Sequence, residues 1–284
     1  MTTVRLRDDG GDGLSVITHN GYRFPNFPSE KAIVNMASVK IRSDDIIIIT
    51  YSRSGTHWVW ELSRLLLAGK LDKSDIDKTS AMIELVDEEE YKDLPSPRLL
   101  NSHAPLGHLP DEVKVKKPKI VYVIRNLKDA IVSCFVFVKK IGFSDYHGKW
   151  ENYVRAATEG RFEYGSWFDY LKGWEEVKKT TDIPLLTLFY EDLKEDTFRE
   201  AKKLCEFFGI SRGDDYIRQV CEYCDFDSMR KIKATAKLTG KVSYRKGEIG
   251  DWKNWFTVAQ NEWFDEYYAE QMKDCPVKVR FTLD

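Results

Sequence analysis

The sequence has few cysteines, no excess of charge of either sign and no long apolar run. Its five cysteines are an odd number scattered over 284 residues, which favours reduced thiols over a disulfide framework. The 44 basic and 46 acidic residues give a net charge of -2, so no overall attraction to nucleic acid or anionic lipid is expected. No run reaches the roughly 18 apolar residues of a membrane span, and residues 1–10 lack the apolar core of a signal peptide. We therefore expect a cytoplasmic protein that builds any anion site locally.

The most informative segment begins with four consecutive isoleucines at 46–49. Such a run predicts a strand that is covered on both faces, as in a parallel sheet. A loop of small hydroxyl residues with one cation, Arg53, follows, and residues 59–67 then predict a helix. Backbone N–H groups and the positive end of the helix dipole would converge near Gly55, an arrangement typical of phosphate and sulfate sites. An ordinary turn between strand and helix is the alternative at this point.

Three more apolar segments predict strands, and helical patterns separate them. This alternation indicates βαβ units and hence an α/β fold with a central parallel sheet flanked by helices. No repeat or linker divides the chain, so we expect one domain over residues 39–284 after an irregular lead-in at residues 1–38. The three segments are 98–103, 119–125 and 185–190.

A polar or aromatic side chain follows each predicted strand. These side chains are Arg53, His103, Arg125 and Tyr190. Open α/β sheets bind ligands at the carboxyl ends of their strands, so the four residues predict a site at one edge of the sheet.

The first loop is not a Walker A sequence, because it lacks the leading glycine and the Gly-Lys-Ser/Thr ending. The hydroxyl that normally holds magnesium is therefore missing. A metal-dependent nucleotide triphosphatase is disfavoured, and no metal is expected.

Six segments, taken in order, resemble the cytosolic sulfotransferases, a family that binds 3'-phosphoadenosine 5'-phosphosulfate (PAPS). The matching segments span roughly residues 39–265 and extend the resemblance well beyond one loop. They are TYSRSGTHW at 50–58, RLLNSHAP at 98–105, VYVIRNLKDAIVS at 121–133, YGSWFDYLKGW at 164–174, LFYEDL at 188–193 and RKGEIGDWKNWFT at 245–257.

The resemblance implies a sulfuryl transfer from PAPS to a hydroxyl or amine of a small hydrophobic acceptor, with adenosine 3',5'-bisphosphate (PAP) as the product. His103 is then the general base, and Arg53 and Ser133 also act in catalysis. The implied donor-site residues fall into three groups. Those around the phosphosulfate are Arg53, Ser54, Gly55, Thr56 and His57; those at the 3'-phosphate are Arg125, Ser133, Arg245, Lys246 and Gly247; those around the adenine are Trp58, Tyr190, Cys224 and Phe226.

Three positions depart from the family pattern. Arg53 and Asn101 stand where the family has lysines, and His57 stands where it usually has threonine. Arginine keeps a positive charge but does not readily give up a proton, and asparagine offers only a neutral hydrogen bond. We interpret Arg53 as purely electrostatic; the alternative is a catalytically weak or inactive nucleotide-binding paralogue.

The segment from Lys253 to Glu262 fits the short dimer motif KxxxTVxxxE of the family through Lys253, Thr257, Val258 and Glu262. A homodimer is therefore expected. A helix cap at Thr257 is the alternative reading of the same residues.

Two further features are predicted from composition. A basic loop is expected over residues 231–251, and an acceptor pocket is expected among aromatic and imidazole side chains. The basic residues are Lys231, Lys233, Lys237, Lys241, Arg245 and Lys246, and the pocket candidates are Phe24, Phe27, Phe135, Phe143, Tyr146 and His147.

Overall fold

Two sheets organise the computed structural model, which describes residues 1–26, 30–72, 78–142, 144–232 and 245–283. One is antiparallel, with the order β1-β2-β3, and the other is parallel, with the order β5-β4-β6-β7. The predicted central parallel sheet of an α/β fold is thus confirmed. The strands are β1 (Thr2–Arg7), β2 (Gly13–His19), β3 (Tyr22–Pro25), β4 (Ile46–Thr50), β5 (Leu99–Ser102), β6 (Lys119–Ile124) and β7 (Leu185–Phe189).

Helices connect the parallel strands and cover both faces of that sheet. Among the described residues, none of the helices has the length and apolar character needed to cross a bilayer. Short 3-10 turns occur at Met36–Ser38, Lys78–Ala81, Glu88–Glu90, Leu106–His108 and Asp251–Asn254. The α-helices are α1 (Lys31–Asn35), α2 (Thr56–Ala68), α3 (Glu112–Lys116), α4 (Leu127–Val138), α5 (Trp150–Thr158), α6 (Trp167–Thr180), α7 (Tyr190–Glu195), α8 (Thr197–Phe208), α9 (Asp214–Tyr223), α10 (Phe226–Ile232) and α11 (Val258–Met272).

The isoleucine run explains why β4 occupies the middle of the sheet. Its side chains alternate between two hydrophobic clusters: Ile47 and Ile49 pack in one, and Ile46 and Ile48 pack in the other. All four are at most 2% exposed. A strand with apolar side chains on both faces is stable only between two covering layers, so β4 forms the interior of the fold.

The irregular lead-in predicted for the N-terminus is wrong for residues 2–25, which form the antiparallel sheet. Asn20 and Gly21 make the two-residue turn between β2 and β3, with positive φ angles of 48° and 77°. An Asn-Gly pair favours such a hairpin turn, so the sequence did carry this signal. The sheet docks through the Tyr146 hydroxyl, which donates to Asp8 over 2.7 Å.

A buried ion pair fixes the start of the parallel sheet. Arg98 Nε donates to Asp45 Oδ1 over 2.8 Å, and a second bond joins the guanidinium to Oδ2. Arg98 is 2% exposed and Asp45 is fully buried. The pair lies directly before β5 and β4, where the Ile46 N–H donates to the Arg98 carbonyl over 2.9 Å.

Asp45→Asn is expected to lower the free energy of unfolding by about 3–5 kcal/mol, because it leaves the buried guanidinium of Arg98 without its counter-charge. Urea unfolding followed by circular dichroism measures the change. Asp44→Asn is the matched control, because Asp44 is the exposed neighbour, and a shift within about 0.5 kcal/mol is expected for it. Equal changes in the free energy of unfolding for the two substitutions would contradict a stabilising role of the Arg98–Asp45 ion pair.

Candidate functional site

The loop between β4 and α2 forms a cradle of backbone and small side chains. Gly55 has φ +96°, and a Cβ atom there would lie 2.7 Å from the Tyr190 ring. Only glycine therefore allows the ring to approach the loop this closely. Ser54 is fully buried, and its Oγ has no hydrogen-bond partner among the described residues. The first turn of α2 begins at Thr56, so helix N–H groups and a buried hydroxyl donor meet in one place.

Arg125 connects three segments around this loop. Its guanidinium donates to the Arg53 carbonyl over 3.0 Å and to the Glu248 carbonyl over 3.2 Å. It also lies 4.2 Å from the centre of the Tyr190 ring. The Nε atom is buried and has no partner among the described residues. A buried guanidinium with an unused donor is suited to an anionic ligand.

Arg53 lines the same cavity. Its Nε donates to Ser133 Oγ over 3.1 Å, and its guanidinium carbon lies 4.6 Å from the centre of the Phe137 ring. Both partners are on α4. The arginine is thus held by a hydroxyl and an aromatic face of one helix.

Arg245 and Lys246 share one carboxylate, Asp251, which is 2% exposed. Arg245 contacts Oδ2, and Lys246 Nζ donates to Oδ1 over 2.6 Å. Burial alone would raise the pKa of Asp251, but the hydrogen bonds from Lys246, Arg245 and Asn254 outweigh it, and the net effect lowers this pKa far below its usual range. The carboxylate remains charged at neutral pH and partly compensates both cations.

Aromatic rings close the neighbouring part of the cavity. The rings of Trp58 and Tyr190 meet edge to face at 5.6 Å, and the indole N–H of Trp58 has no partner among the described residues. Gly247 has φ +70°, and a Cβ there would lie 2.2 Å from the Phe226 ring. Cys224 is fully buried and also lines this part. Flat rings around a polar cavity fit a planar heterocycle.

His103 stands at the carboxyl end of β5 and is 6% exposed. Its Nδ1 lies 2.9 Å from the Thr50 carbonyl, which can only accept, so Nδ1 carries the proton and Nε2 offers a lone pair. Burial, followed by the charge of Lys78, lowers the pKa of His103 well below 6.5, and Arg53 adds to this effect. The imidazole is consequently neutral at pH 7 and can accept a proton.

Sequence reasoning missed two polar neighbours of His103. Lys78, which is 6% exposed, lies with Nζ 3.2 Å from His103 Nε2. Glu84, which is fully buried, accepts the His103 backbone N–H over 2.7 Å. Burial raises the pKa of Glu84 in spite of that hydrogen bond. Neither residue belongs to a periodic pattern or a recognised motif, so only their buried charge in the structure reveals them.

One cavity brings the predicted site residues together, with Ser54 buried just behind its wall. Their roles stay predictions, but their common location is a property of the structure. The basic loop predicted for 231–251 is described only at its ends, because Lys233, Lys237 and Lys241 lie outside the described residues. The predicted residues that line the cavity are Arg53, Gly55, Thr56, His57, Trp58, His103, Arg125, Ser133, Tyr190, Cys224, Phe226, Arg245, Lys246 and Gly247.

The predicted acceptor pocket is wrong for its four described residues. Phe24, Phe135 and Tyr146 are buried in the hydrophobic core, and His147 is exposed. The other two candidates, Phe27 and Phe143, lie outside the described residues. The apolar end of the cavity is lined instead by Leu14, Pro25, Met82, Leu85, Phe137, Val138 and Ile141.

A carboxyl group also lines the cavity. Glu163 lines the cavity, and its Oε2 is buried without a hydrogen-bond partner among the described residues. Burial raises the pKa of Glu163 to about 7. The adjacent Tyr164 packs edge to face on His103 at 5.3 Å.

Comparison with known proteins identifies relatives of this chain. A family model described as a sulfotransferase domain matches residues 43–276. Sulfotransferase 1A1 of Mus musculus is 36% identical over 259 residues, which cover 84% of this chain and 88% of the relative. Cytosolic sulfotransferase 1 of Danio rerio is 36% identical over 300 residues, covering 96% and 94%.

Solved structures give the same result. Mouse sulfotransferase SULT7A1, solved in complex with PAP, superposes with a TM-score of 0.79 at 32% identity, covering 92% of this chain and 96% of that one. The family match extends over most of the chain and includes β4, the loop after it, His103 and Arg125. The chain therefore belongs to the sulfotransferase family and is an enzyme of the cytosolic sulfotransferase type.

Proposed function

We propose that this enzyme transfers a sulfuryl group from PAPS to a hydroxyl or amine of a small hydrophobic acceptor and releases PAP. The observation that carries the proposal is one cavity in which Nε2 of His103 opens beside the β4–α2 loop and Arg125. The PAP complex of mouse SULT7A1 supports the donor class. The relative named as cytosolic supports a cytoplasmic location.

Unused hydrogen-bond donors support an anionic nucleotide as the ligand. Arg125 and Trp58 line the cavity, and Arg125 Nε and Trp58 Nε1 are buried without partners among the described residues. Isolated buried donors are unfavourable, and the acceptor atoms of an anionic nucleotide would satisfy them. Arg125, Ser133, Arg245, Lys246 and Gly247 would hold the 3'-phosphate, whereas Ser54 to His57 would surround the phosphosulfate.

His103 then acts as the general base. Its neutral Nε2 accepts the proton of the acceptor hydroxyl as the new oxygen–sulfur bond forms. PAPS, when bound, supplies the sulfuryl group, and the electron pair of its broken sulfur–oxygen bond leaves with the phosphate. The Thr50 carbonyl stabilises the resulting imidazolium through Nδ1, as a positioned acceptor does for a catalytic histidine.

Arg53 stabilises the charge that develops on the departing phosphate. It remains protonated throughout, because a guanidinium does not lose its proton near neutral pH. Phe137 and Ser133 hold it against the cavity wall, so little reorganisation is needed during the reaction.

The acceptor enters from the apolar end of the cavity. The aliphatic and aromatic lining there favours a hydrophobic molecule that presents its nucleophile to His103. Phenols, sterols, alkyl alcohols and amines all satisfy this description.

One observation favours the alternative function of a nucleotide-binding paralogue without transfer. Asn101 uses both protons of its side-chain amide on the carbonyls of Lys78 and Ala81. It therefore has no unused amide proton to donate to a phosphate in this arrangement. PAP binding without transfer to any acceptor would support this alternative.

His103→Gln is expected to lower transfer from labelled PAPS at least about 100-fold, because it removes the proton acceptor. PAP binding, measured by calorimetry, should stay within about threefold, since His103 does not carry the nucleotide. His147→Gln is the control, because His147 is exposed outside the cavity. Unchanged transfer in His103→Gln would contradict its role as base.

Arg125→Met should weaken PAP binding at least about tenfold, because it removes a guanidinium from the proposed 3'-phosphate site.

Arg53→Ala is expected to lower kcat by about 100-fold or more, because the charge on the leaving group loses its stabilisation. Arg53→Lys is the matched variant, because it keeps a positive charge at this position. It should lower kcat less than Arg53→Ala does. An unchanged turnover of Arg53→Ala under saturating substrates would contradict the proposal that Arg53 stabilises the charge on the departing phosphate.

We also propose a homodimer formed through Lys253, Thr257, Val258 and Glu262. All four side chains are exposed, and Val258 is 75% exposed. Thr257 caps α11 in a capping box with Gln260, so the alternative role as a helix cap is confirmed, and the two roles are compatible. A segment this short supplies only part of a standard interface of roughly 1,600 Å², so Val258 would act as an apolar anchor.

Val258→Glu is expected to convert the dimer to monomer in sedimentation-velocity measurements, because a charge replaces the apolar anchor at the contact. Val115→Glu is the control, since Val115 is 74% exposed and lies on α3, which is far from the proposed dimer segment in the sequence. Dissociation in both variants, or in neither, would contradict the assigned surface.

A further inference from the structure

Lys78 carries a charge deep inside the protein next to the catalytic histidine. Its Nζ lies 3.2 Å from His103 Nε2 and 3.1 Å from Met82 Sδ, and the residue is 6% exposed. Desolvation of an ammonium is unfavourable, so a lysine buried this deeply is held in place by the groups around it. The same residue lines the cavity that holds the donor loop. A purely structural role would not require the ammonium to face the reactive nitrogen.

Asn101 fixes the turn that carries Lys78. Its side-chain amide donates to the carbonyl of Lys78 over 2.7 Å and to that of Ala81 over 3.0 Å. The Ile83 N–H donates to the Asn101 carbonyl over 3.0 Å. Asn101 is itself fully buried on β5, two residues before His103. One strand end therefore positions both the base and the cation beside it.

The hydrogen-bond directions in the resting site are determined. Nδ1 of His103 donates to the Thr50 carbonyl, so Nε2 can only accept, and the Lys78 ammonium is a donor. This contact keeps the imidazole neutral with its lone pair turned into the cavity. The acceptor hydroxyl must take the place of Nζ at Nε2 before its proton can be transferred.

Proton transfer then prevents the ammonium from returning to the base. When Nε2 takes the proton of the acceptor, His103 becomes an imidazolium that can no longer accept a hydrogen bond from Lys78. Two positive charges at this distance repel each other strongly in a buried site. Negative charge meanwhile lies on the oxygens of the transferring group in the same cavity, and these oxygens are the natural acceptors for Nζ.

We propose that Lys78 is a catalytic residue, which holds Nε2 of His103 in the resting enzyme and donates to the oxygens of the transferring sulfuryl group during the reaction. The inference rests on the proposed sulfuryl transfer and deepens it. Lys78 keeps its proton throughout; the acceptor proton goes to His103, the acceptor oxygen bonds to sulfur, and the phosphate leaves with the electron pair.

Three other residues contact or influence His103, and they come from separate segments. Arg53 approaches from the β4–α2 loop, and Glu84 bonds to the His103 backbone N–H. The Tyr164 ring packs against the imidazole on another side. Removal of the Lys78 charge leaves all three in place, so the titration of His103 reports on Lys78 separately.

The test compares Lys78→Met, Lys78→Arg and the surface control Lys70→Met. In the protein without ligand, nuclear magnetic resonance follows the His103 ring, identified by the signal that His103→Gln removes. Because a neighbouring positive charge is lost, the His103 pKa should rise by about one pH unit or more in Lys78→Met. It should stay low in Lys78→Arg, and Lys70→Met should behave as the unmodified protein.

Kinetics supply the second measurement. Lys78→Met is expected to lower kcat at least about 100-fold while PAP affinity changes less than about threefold, and Lys78→Arg should retain more of the rate. The acid limb of the kcat/KM profile should move to higher pH in Lys78→Met, because His103 must be neutral to react. Circular dichroism checks folding, and Lys78→Arg keeps the test decisive where Lys78→Met unfolds.

The outcomes separate this inference from the proposed function. An unchanged His103 titration with kcat within about twofold in Lys78→Met would overturn the role of Lys78, whereas the sulfuryl transfer would stand. No transfer by the unmodified protein would overturn the proposed function and the catalytic role together. The ligand-free titration would then still show whether Lys78 contacts His103.

Discussion

The carboxyl end of β4 is the anchor on which the cavity depends. The Thr50 carbonyl accepts a hydrogen bond from Nδ1 of His103. The Thr50 hydroxyl lies 2.7 Å from the hydroxyl of Thr56 at the start of α2. One residue thus positions the proposed base and the donor loop. β4 is paired on both edges and buried on both faces, so its end is held more firmly than an edge strand would be. The firmly held end of β4 therefore fixes the distance between His103 and the loop that follows β4.

The sequence was sufficient where local pattern determines structure. Ile46 to Ile49 specify a buried strand, and parallel strands place their carboxyl ends on one edge, so Arg53, His103 and Arg125 could be grouped in advance. Lys78 could not be found in this way, because its position depends on an amide contact with Asn101, 23 residues away. The acceptor aromatics failed for another reason: size and hydrophobicity do not distinguish a core side chain such as Phe135 from one that lines a cavity.

A chain with almost no net charge concentrates cations at one site by pairing them with buried carboxylates. Asp251 compensates Arg245 and Lys246, and the charge of Lys78 acts on the buried carboxyl group of Glu84. Such pairing limits the repulsion among the cations in the absence of ligand. A bound phosphate would add a second anion to the Arg245 and Lys246 pair rather than meet bare charges. The affinity of this part of the site therefore depends on geometry as much as on charge count.

The position of Asn101 changes the meaning of a missing lysine. The motif alone shows that β5 lacks the family's lysine two residues before His103. From the motif alone, a catalytically weak enzyme is therefore predicted. In the folded protein the amide holds the turn that brings Lys78 to the same histidine. The electrostatic potential that a cation produces at a reactive atom depends on its charge, its distance and the local dielectric, so a cation on a turn can replace one on a strand where it comes equally close. The loss of charge at position 101 is therefore not a loss of charge at the site, and a motif with a substituted residue has to be judged from its packed neighbours.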